Sequence, residues 1–266
     1  MNILEKIVLA KQQEVAEAKA LRPVSALERL PLFERKPYSL RGSLQAADAS
    51  GIIAEFKRRS PSKGLLREQA VVGEIVPAYA AAGASGVSVL SDMQFFGALA
   101  HDFAEARSLM QLPLLRKDFM IEEYQIIESK AMGADVILLI AACLLPAQVR
   151  RLAALAKSLQ MEVLLEVHNA QELEQHLCEE VDIVGVNNRN LKSFEVSIEN
   201  SLALAEKIPA DFVKISESGL QQVADIQALR AVGYQGFLIG ETFMKAEQPG
   251  QALADLVAAL SSPKIA

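Results

Sequence analysis

Cysteine is scarce in this chain: Cys143 and Cys178 are the only two in 266 residues, and neither sits in a CxxC or Cys/His ligand spacing. A disulfide framework or zinc site is therefore not expected, no metal is expected, and a reducing cytoplasm fits. Long apolar runs are also missing. Nothing approaches the ~18 consecutive apolar residues needed to span a bilayer, so no membrane partner is expected. Glu5, Lys6 and Lys11 break up the first apolar segment, which is not the pattern of a signal peptide. Positive charge is not in excess. A net charge of −6 argues against nucleic acid as a general partner. No GxGxxG follows the first strand-like run, which counts against a dinucleotide-binding sheet.

What is present is apolar and periodic. Apolar residues make up 51% of the chain, enough for a large core, and the length is close to the ~250 residues typical of one eight-fold βα barrel. The first 50 residues differ from the rest. Ile3, Leu4, Ile7 and Val8 lie on one helical stripe, with Glu5, Lys6 and Lys11 placed for water. Pro23, Pro31 and Pro37 then interrupt the chain. This stretch is too short to bury a core of its own. The expectation is one domain over 1–266, with 1–50 as its N-terminal helical extension.

From Gly51 onward, strand-like runs at 52–57, 86–90, 113–117, 135–140, 161–166, 182–187, 212–216 and 236–240 alternate with helix-like ones. The helices are expected within 74–82, 103–110, 121–131, 147–159, 170–178, 197–207, 221–232 and 249–260. Gly83, Gly133 and Gly233 stand where a left-handed C-terminal cap would fall. Strands each followed by a helix mean a parallel sheet with helical crossovers. The fold class is α/β: a (β/α)8 TIM barrel, with an open doubly wound sheet as the alternative. In such a barrel the site lies at the C-terminal ends of the strands.

The unusual residues fall at those ends. Glu55 and Lys57 close the first strand, two residues apart and hence on one side. Lys117 closes the third, Glu166 the fifth, and Asn187 with Arg189 the sixth; Ser216, Glu217, Ser218 and Gly219 close the seventh. A buried charge costs several kcal/mol unless paired, so these are poor structural choices. Taken singly, Lys57–Glu55 and Lys117–Glu166 read equally well as ion pairs at a solvated rim. Charges at the ends of several strands together read instead as one site, where facing lysines and carboxylates serve general acid–base catalysis.

A basic loop, Arg58-Arg59-Ser60-Pro61-Ser62-Lys63-Gly64, follows the first strand and suits a small anionic ligand. Ser216-Glu217-Ser218-Gly219 and Gly240-Glu241-Thr242 end the last two strands, where barrels commonly hold phosphate on backbone N–H groups. Gly219 and Gly240 permit close approach, or simply serve tight turns. On the first reading Gly219→Val weakens substrate binding and leaves the fold largely intact. Phe96 and Phe119 follow the second and third strands, placed to stack on a planar substrate or to pack under a loop. His168 reads as a loop or helix-cap residue, with an orienting role as the alternative. His101 and His176 look non-catalytic, and Glu122-Glu123 and Glu179-Glu180 read as solvated faces.

These residues resemble the indole-3-glycerol phosphate synthase family. The matches are Ala54-Glu55-Phe56-Lys57-Arg58-Arg59-Ser60-Pro61-Ser62, Leu115-Arg116-Lys117-Asp118-Phe119 and Leu165-Glu166-Val167-His168, followed by Gly185-Val186-Asn187-Asn188-Arg189-Asn190-Leu191 and Ser216-Glu217-Ser218-Gly219. The first and fourth are highly specific; the last is shared in looser form by other phosphate-binding barrels. The resemblance implies a substrate with an anthranilate carboxylate, a ribulose-like chain and a terminal phosphate. It also implies ring closure with loss of CO2 and water, and no cofactor.

By the same resemblance, Lys117 matches the general acid for closure and Glu166 the base for dehydration. Lys57 matches the residue that holds the substrate carboxylate and serves as a later acid. Glu55, Asn187 and Ser218 match supporting catalytic positions. Ser60, Phe96, Phe119, Arg189, Glu217, Gly219, Gly240 and Glu241 match substrate contacts. Glu241 stands where some relatives have Ser, so only its backbone N–H is expected at the phosphate. A sugar-phosphate isomerase barrel such as phosphoribosylanthranilate isomerase would share the phosphate loops without needing Lys57, Lys117 and Glu166 together. A non-catalytic barrel subunit would show eroded strand ends, which this sequence does not. The chain leaves no room for a fused second barrel, and a monomer is expected, with a weak homodimer as the alternative.

Overall fold

Short β-branched and leucine-rich runs, each bounded by a glycine turn or a helix, form eight parallel strands: β1 (Ile52–Phe56), β2 (Gly86–Leu90), β3 (Leu114–Lys117), β4 (Val136–Ile140), β5 (Glu162–Val167), β6 (Ile183–Asn187), β7 (Val213–Glu217) and β8 (Gly236–Ile239). The computed structural model describes residues 2–190 and 195–261; Leu191 of the quoted motif lies outside them. β1 pairs with both β2 and β8, so the sheet closes on itself and the open doubly wound alternative is excluded. This is a (β/α)8 barrel. A two-residue antiparallel ladder, Arg59–Ser60 with Gly64–Leu65, rises from the loop after β1.

Strand parity sorts the side chains into two cores. In β4, Val136, Leu138 and Ile140 point into the barrel, while Ile137 and Leu139 pack outward against the helices. The same alternation places Ile53, Leu115, Leu164, Ile183, Ile215 and Leu238 inside. The helix Leu40–Gln45 stops the lower end of the barrel: Leu40 and Leu44 join the inner core. Gly86 and Gly236 leave the space they fill, because a Cβ on Gly86 would stand 2.6 Å from Leu40 and one on Gly236 3.1 Å from Leu44.

Helix ends follow local chemistry. Gly83, Gly133 and Gly233 take positive φ of 87°, 84° and 92°, the left-handed caps expected of them. The N-terminal helix Ile3–Leu21 starts with a capping box in which Asn2 and Glu5 satisfy each other's backbone N–H groups. Its buried positions are Ile7, Lys11 and Val15, one turn apart. Lys11 was expected to face water and does not; it lies on the buried stripe at 1% exposure. Val15 packs with Leu27, Tyr124 and Ala131, and the Tyr124 hydroxyl donates to the carbonyls of Ala18 and Arg22. The extension therefore lies along the helix Glu123–Ala131 with its first turns over the barrel mouth, where Ile3, Leu4 and Ile7 line the cavity.

Candidate active site

Above the apolar layers, the inward-facing position at the end of five of the eight strands is polar. Parity carries Ile53 to Glu55, Leu115 to Lys117, Leu164 to Glu166, Ile183 through Gly185 to Asn187, and Ile215 to Glu217. Ser216 therefore points away from the barrel interior and bonds to Asn188 and Ser201. A cavity of about 280 Å³ opens over this layer. Glu55, Lys57, Ser60, Phe96, Lys117, Phe119, Glu166, Asn187, Arg189, Glu217, Ser218, Gly219, Gly240 and Glu241 all line it.

Lys117 Nζ sits 2.8 Å from Glu166 Oε2 and 3.1 Å from Glu217 Oε2. Asn187 Nδ2 donates to Glu166 Oε1 at 3.0 Å, and Lys57 Nζ donates to Glu55 Oε1 at 2.5 Å. Two ammonium groups thus face three carboxylates in a nearly dry layer. Burial alone would discharge Lys117, but Glu166, Glu217 and Glu55 outweigh it and hold its pKa above the usual lysine range. Burial raises Glu166 too, yet Lys117 and His168 overcome that and leave its pKa low. Glu217 is raised, by burial first and by the nearby carboxylates Glu166 and Glu55, against the pull of Lys117. Glu166 is thus held as the carboxylate, while Glu217 keeps its proton to higher pH. Glu217 Oε1 has no hydrogen-bond partner, and Gly185 makes room for it: a Cβ there would stand 2.4 Å away.

Loops complete the walls. Buried Arg58 pairs with Asp102 and donates to the Ala70 carbonyl, while Arg67 donates to the carbonyls of Met244, Ala246 and Glu247. Both ends of the basic loop are therefore anchored, and Ser60 and Lys63 between them line the cavity. Phe96 and Phe119 stand with ring centroids 6.0 Å apart. Their loops meet at Lys11, whose Nζ is 3.1 Å from Asp92 Oδ2 and 2.8 Å from Asp118 Oδ1. Asp92 caps the short helix that carries Phe96, and Asp118 accepts from the N–H of Phe119.

On the opposite wall, Ser218 and Gly219 both take positive φ, 68° and 77°, and Asn188 donates to the Ser218 carbonyl. Gly219 also lies against Val196, where a Cβ would approach to 2.3 Å. A valine there strains the turn itself, so Gly219→Val does not isolate anion approach as expected from sequence. Gly240 precedes the helix Glu241–Lys245, and its missing Cβ is where Glu55 packs, 2.5 Å away at Oε1. Its need for glycine is met by that contact alone. The Glu241 carboxylate lies 2.7 Å from Lys245 and 3.7 Å from both Lys63 and Arg189, so its side chain faces cations at the mouth.

Several positions escaped the sequence reading. Lys11 was misplaced because a lysine on an amphipathic helix normally solvates; its i, i+4 spacing with Ile7 and Val15 was the available signal. Asp92, Asp118, Gly185 and Asn188 act through contacts between distant segments, which local pattern does not encode. His168 was read as a loop or cap residue. Its ring instead points inward, Nε2 3.5 Å from Glu166 Oε1 and Nδ1 3.2 Å from Glu172 Oε2. His176 is buried between the carbonyls of Glu172 and Leu144, and Glu122 pairs with Lys19 rather than standing free in solvent. Among the described residues no group of three or more His, Cys, Asp or Glu is arranged to hold a metal ion, and no helix is long and apolar enough to cross a membrane.

A closed parallel barrel with paired ammonium and carboxylate groups at the strand ends defines a (β/α)8-barrel enzyme of the acid–base type. Solved barrels of distant sequence share the architecture. The thiamine phosphate pyrophosphorylase of Pyrococcus furiosus superposes with a TM-score of 0.58 at 14% identity, covering 84% of this chain and 100% of its own. A structure described as native KDPGal gives 0.55 at 16% identity, covering 79% of this chain and 91% of its own. These likenesses show the fold alone. The indole-3-glycerol phosphate synthase family model matches residues 4–256. The indole-3-glycerol phosphate synthase of Albidiferax ferrireducens is 47% identical over 97% of this chain and 98% of its own length. That of Bacteroides thetaiotaomicron is 45% identical over 97% and 99%. The chain belongs to the indole-3-glycerol phosphate synthase family.

Proposed function

We propose that the strand-end ring carries the family's reaction through residue roles assignable one by one. As a member of this family the chain is a carboxy-lyase of tryptophan biosynthesis. It converts 1-(2-carboxyphenylamino)-1-deoxyribulose 5-phosphate to indole-3-glycerol phosphate with release of CO2 and water. The ring carbon bearing the carboxylate attacks the ketone carbon, and the Lys117 ammonium gives a proton to the ketone oxygen. The ring carbon then loses CO2, and the electron pair of the broken bond restores aromaticity. In the second half the nitrogen lone pair helps the new hydroxyl leave as water with a proton from Lys57. Glu166 takes a proton from the ring methylene beside the nitrogen, which forms the indole with its N–H in place. Glu55 holds Lys57, and Asn187 holds Glu166, within hydrogen-bond reach. Ser218, which follows Glu217 in the chain and lines the cavity, is assigned a supporting polar role.

The observation that carries this reading is Lys117 between two carboxylates whose pKa values are pushed apart. Binding is assigned by charge and shape. The anthranilate ring lies against Phe96 and Phe119, its carboxylate near Lys57 and Ser60, and Arg189 spans toward the phosphate. The phosphate meets backbone N–H groups around Gly219, Gly240 and Glu241, with Glu217 beneath. The substrate is thus a small molecule carrying a carboxylate and a phosphate. The barrel and its 1–50 extension act as one unit, as a monomer in the cytoplasm, without cofactor or nucleic acid.

The test is turnover by the purified chain. Indole-ring fluorescence rises with the carboxyphenylamino substrate and stays flat with its isomeric precursor. Consumption of the precursor without indole fluorescence sinks the reading in favour of an isomerase.

A further inference from the structure

His168 is the one imidazole at the edge of the ring. Its side chain is 10% exposed, and its Nε2 is buried without a hydrogen-bond partner, 3.5 Å from Glu166 Oε1. The other face is held firmly. Glu172 Oε2 accepts the His168 backbone N–H at 2.8 Å and lies 3.2 Å from Nδ1, which fixes the ring with Nδ1–H toward the carboxylate. Asn169 caps the helix Ala170–His176 that carries Glu172 and donates to its other oxygen at 2.8 Å, so Glu172 is itself anchored. The result is a carboxylate–imidazole–carboxylate line that runs from the ring toward solvent, Glu172 being 21% exposed.

A helix cap does not require this. The cap is supplied by Asn169, and the His168 backbone N–H reaches Glu172 whatever side chain stands there. What the imidazole adds is an unpartnered nitrogen 3.5 Å from Glu166 Oε1 that can accept a proton. We propose that His168, oriented by Glu172, is a positioning residue and proton relay for Glu166. This rests on the reading of Glu166 as the base of dehydration. In the step, the Glu166 carboxyl, having taken a proton from the ring methylene of the substrate, releases it to Nε2 of neutral His168. The Glu166 carboxylate is restored, the imidazolium charge is offset by Glu172, and the proton then passes to water. The groups that face the ring are Glu166 on β5, Glu172 on the following helix, Glu217 on β7, Lys117 on β3 through Glu166, and Cys143 after β4. Burial lowers the basicity of His168, but the hydrogen bond and charge of Glu172 and the charge of Glu166 raise it on balance.

The test compares steady-state kcat and KM across pH for the parent, His168→Gln, Glu172→Gln and Glu166→Gln. Glutamine keeps an N–H within reach of Glu166 but carries no titrating proton. The relay needs neutral imidazole, so the parent's rate falls as pH drops through the His168 pKa. His168→Gln is expected to lose that limb and at least about tenfold in rate, with KM within about threefold. Glu172→Gln, by removing the charge that favours imidazolium, moves the limb to lower pH. A His168→Gln rate within about twofold of the parent, with the limb intact, overturns the relay. If that variant fails to fold by thermal melt, 15N imidazole NMR of the parent decides: a His168 that does not titrate with the limb overturns the proposal. Near-parent activity of Glu166→Gln sinks the reading of Glu166 itself. An inactive Glu166→Gln beside an unaffected His168→Gln sinks the relay alone.

Discussion

Lys117 is held by two carboxylates at once, and its replacement should be felt by both. Lys117→Met keeps the length of the side chain and removes the acid and the charge. General acid catalysis is worth ~10²–10⁴-fold and stabilisation of a developing alkoxide a similar factor, so kcat is expected to fall at least about 10³-fold, with KM changed much less. The same variant leaves Glu166 facing Glu217 without a cation between them, so the acid limb of any residual rate moves to higher pH. Lys57→Met differs, raising KM as well, because Lys57 is assigned to the substrate carboxylate. Steady-state kinetics of the two variants separate the roles; a Lys117→Met enzyme within a few-fold of the parent moves the acid to Lys57. Glu217 supplies a test of the ring's electrostatics that does not involve substrate. Its pKa is raised from 4.5 unfolded to about 7 folded. A group raised on folding contributes stability that is complete below its unfolded pKa and lost as pH rises through the folded one. Glu217→Gln is therefore expected to raise the denaturation midpoint at pH 8, and the gain fades as pH falls toward 4.5. A gain that grows on acidification contradicts the assignment.

Elements of the mouth are tied together by buried charge pairs. The N-terminal helix reaches two βα loops through the single ammonium of Lys11, and those loops present Phe96 and Phe119. Burial alone would discharge Lys11, but Asp118 and Asp92 outweigh it, while burial of Asp118 is overcome by Lys11 and Arg116, so its pKa drops to about 2. Lys11→Met removes the cation and leaves two buried carboxylates behind. Breaking a buried pair on one side costs about 3–5 kcal/mol, so a large fall in Tm is expected. Because the aromatic loops lose their common anchor, KM should rise more than kcat falls. Unchanged KM in a destabilised variant would mean that the loops hold their places without the helix. Helix identity was legible from pattern in each βα unit, while ends shifted by up to three residues, as where the expected 121–131 begins at Glu123 and the expected 197–207 ends at Leu204.

At the scale of the whole molecule, the sequence by itself determined the barrel and the level of its site. Eight apolar runs separated by amphipathic ones permit few topologies, and period-two alternation carries Glu55, Lys117, Glu166, Asn187 and Glu217 to one face and one height once the sheet is closed. Both signals are local: they depend on spacing along a strand and survive without knowledge of neighbours. The pairs Lys57–Glu55 and Lys117–Glu166 were legible in the sequence, and tertiary structure alone decided that Glu217 is the second partner of Lys117. Lys117 bridges Glu166 and Glu217 from three different strands, and Gly185 and Gly240 are glycine because Glu217 and Glu55 occupy the space beside them. The same holds for Lys11, whose helical spacing marks it as inward but whose two aspartates lie about 80 and 107 residues along the chain. His168 is the sharpest case. Its neighbours in sequence mark a strand end and a helix cap, and only the packed barrel shows its free nitrogen turned toward Glu166. Through-space electrostatics in a low-dielectric interior depend on distances of a few ångströms between remote segments, and no linear pattern records those.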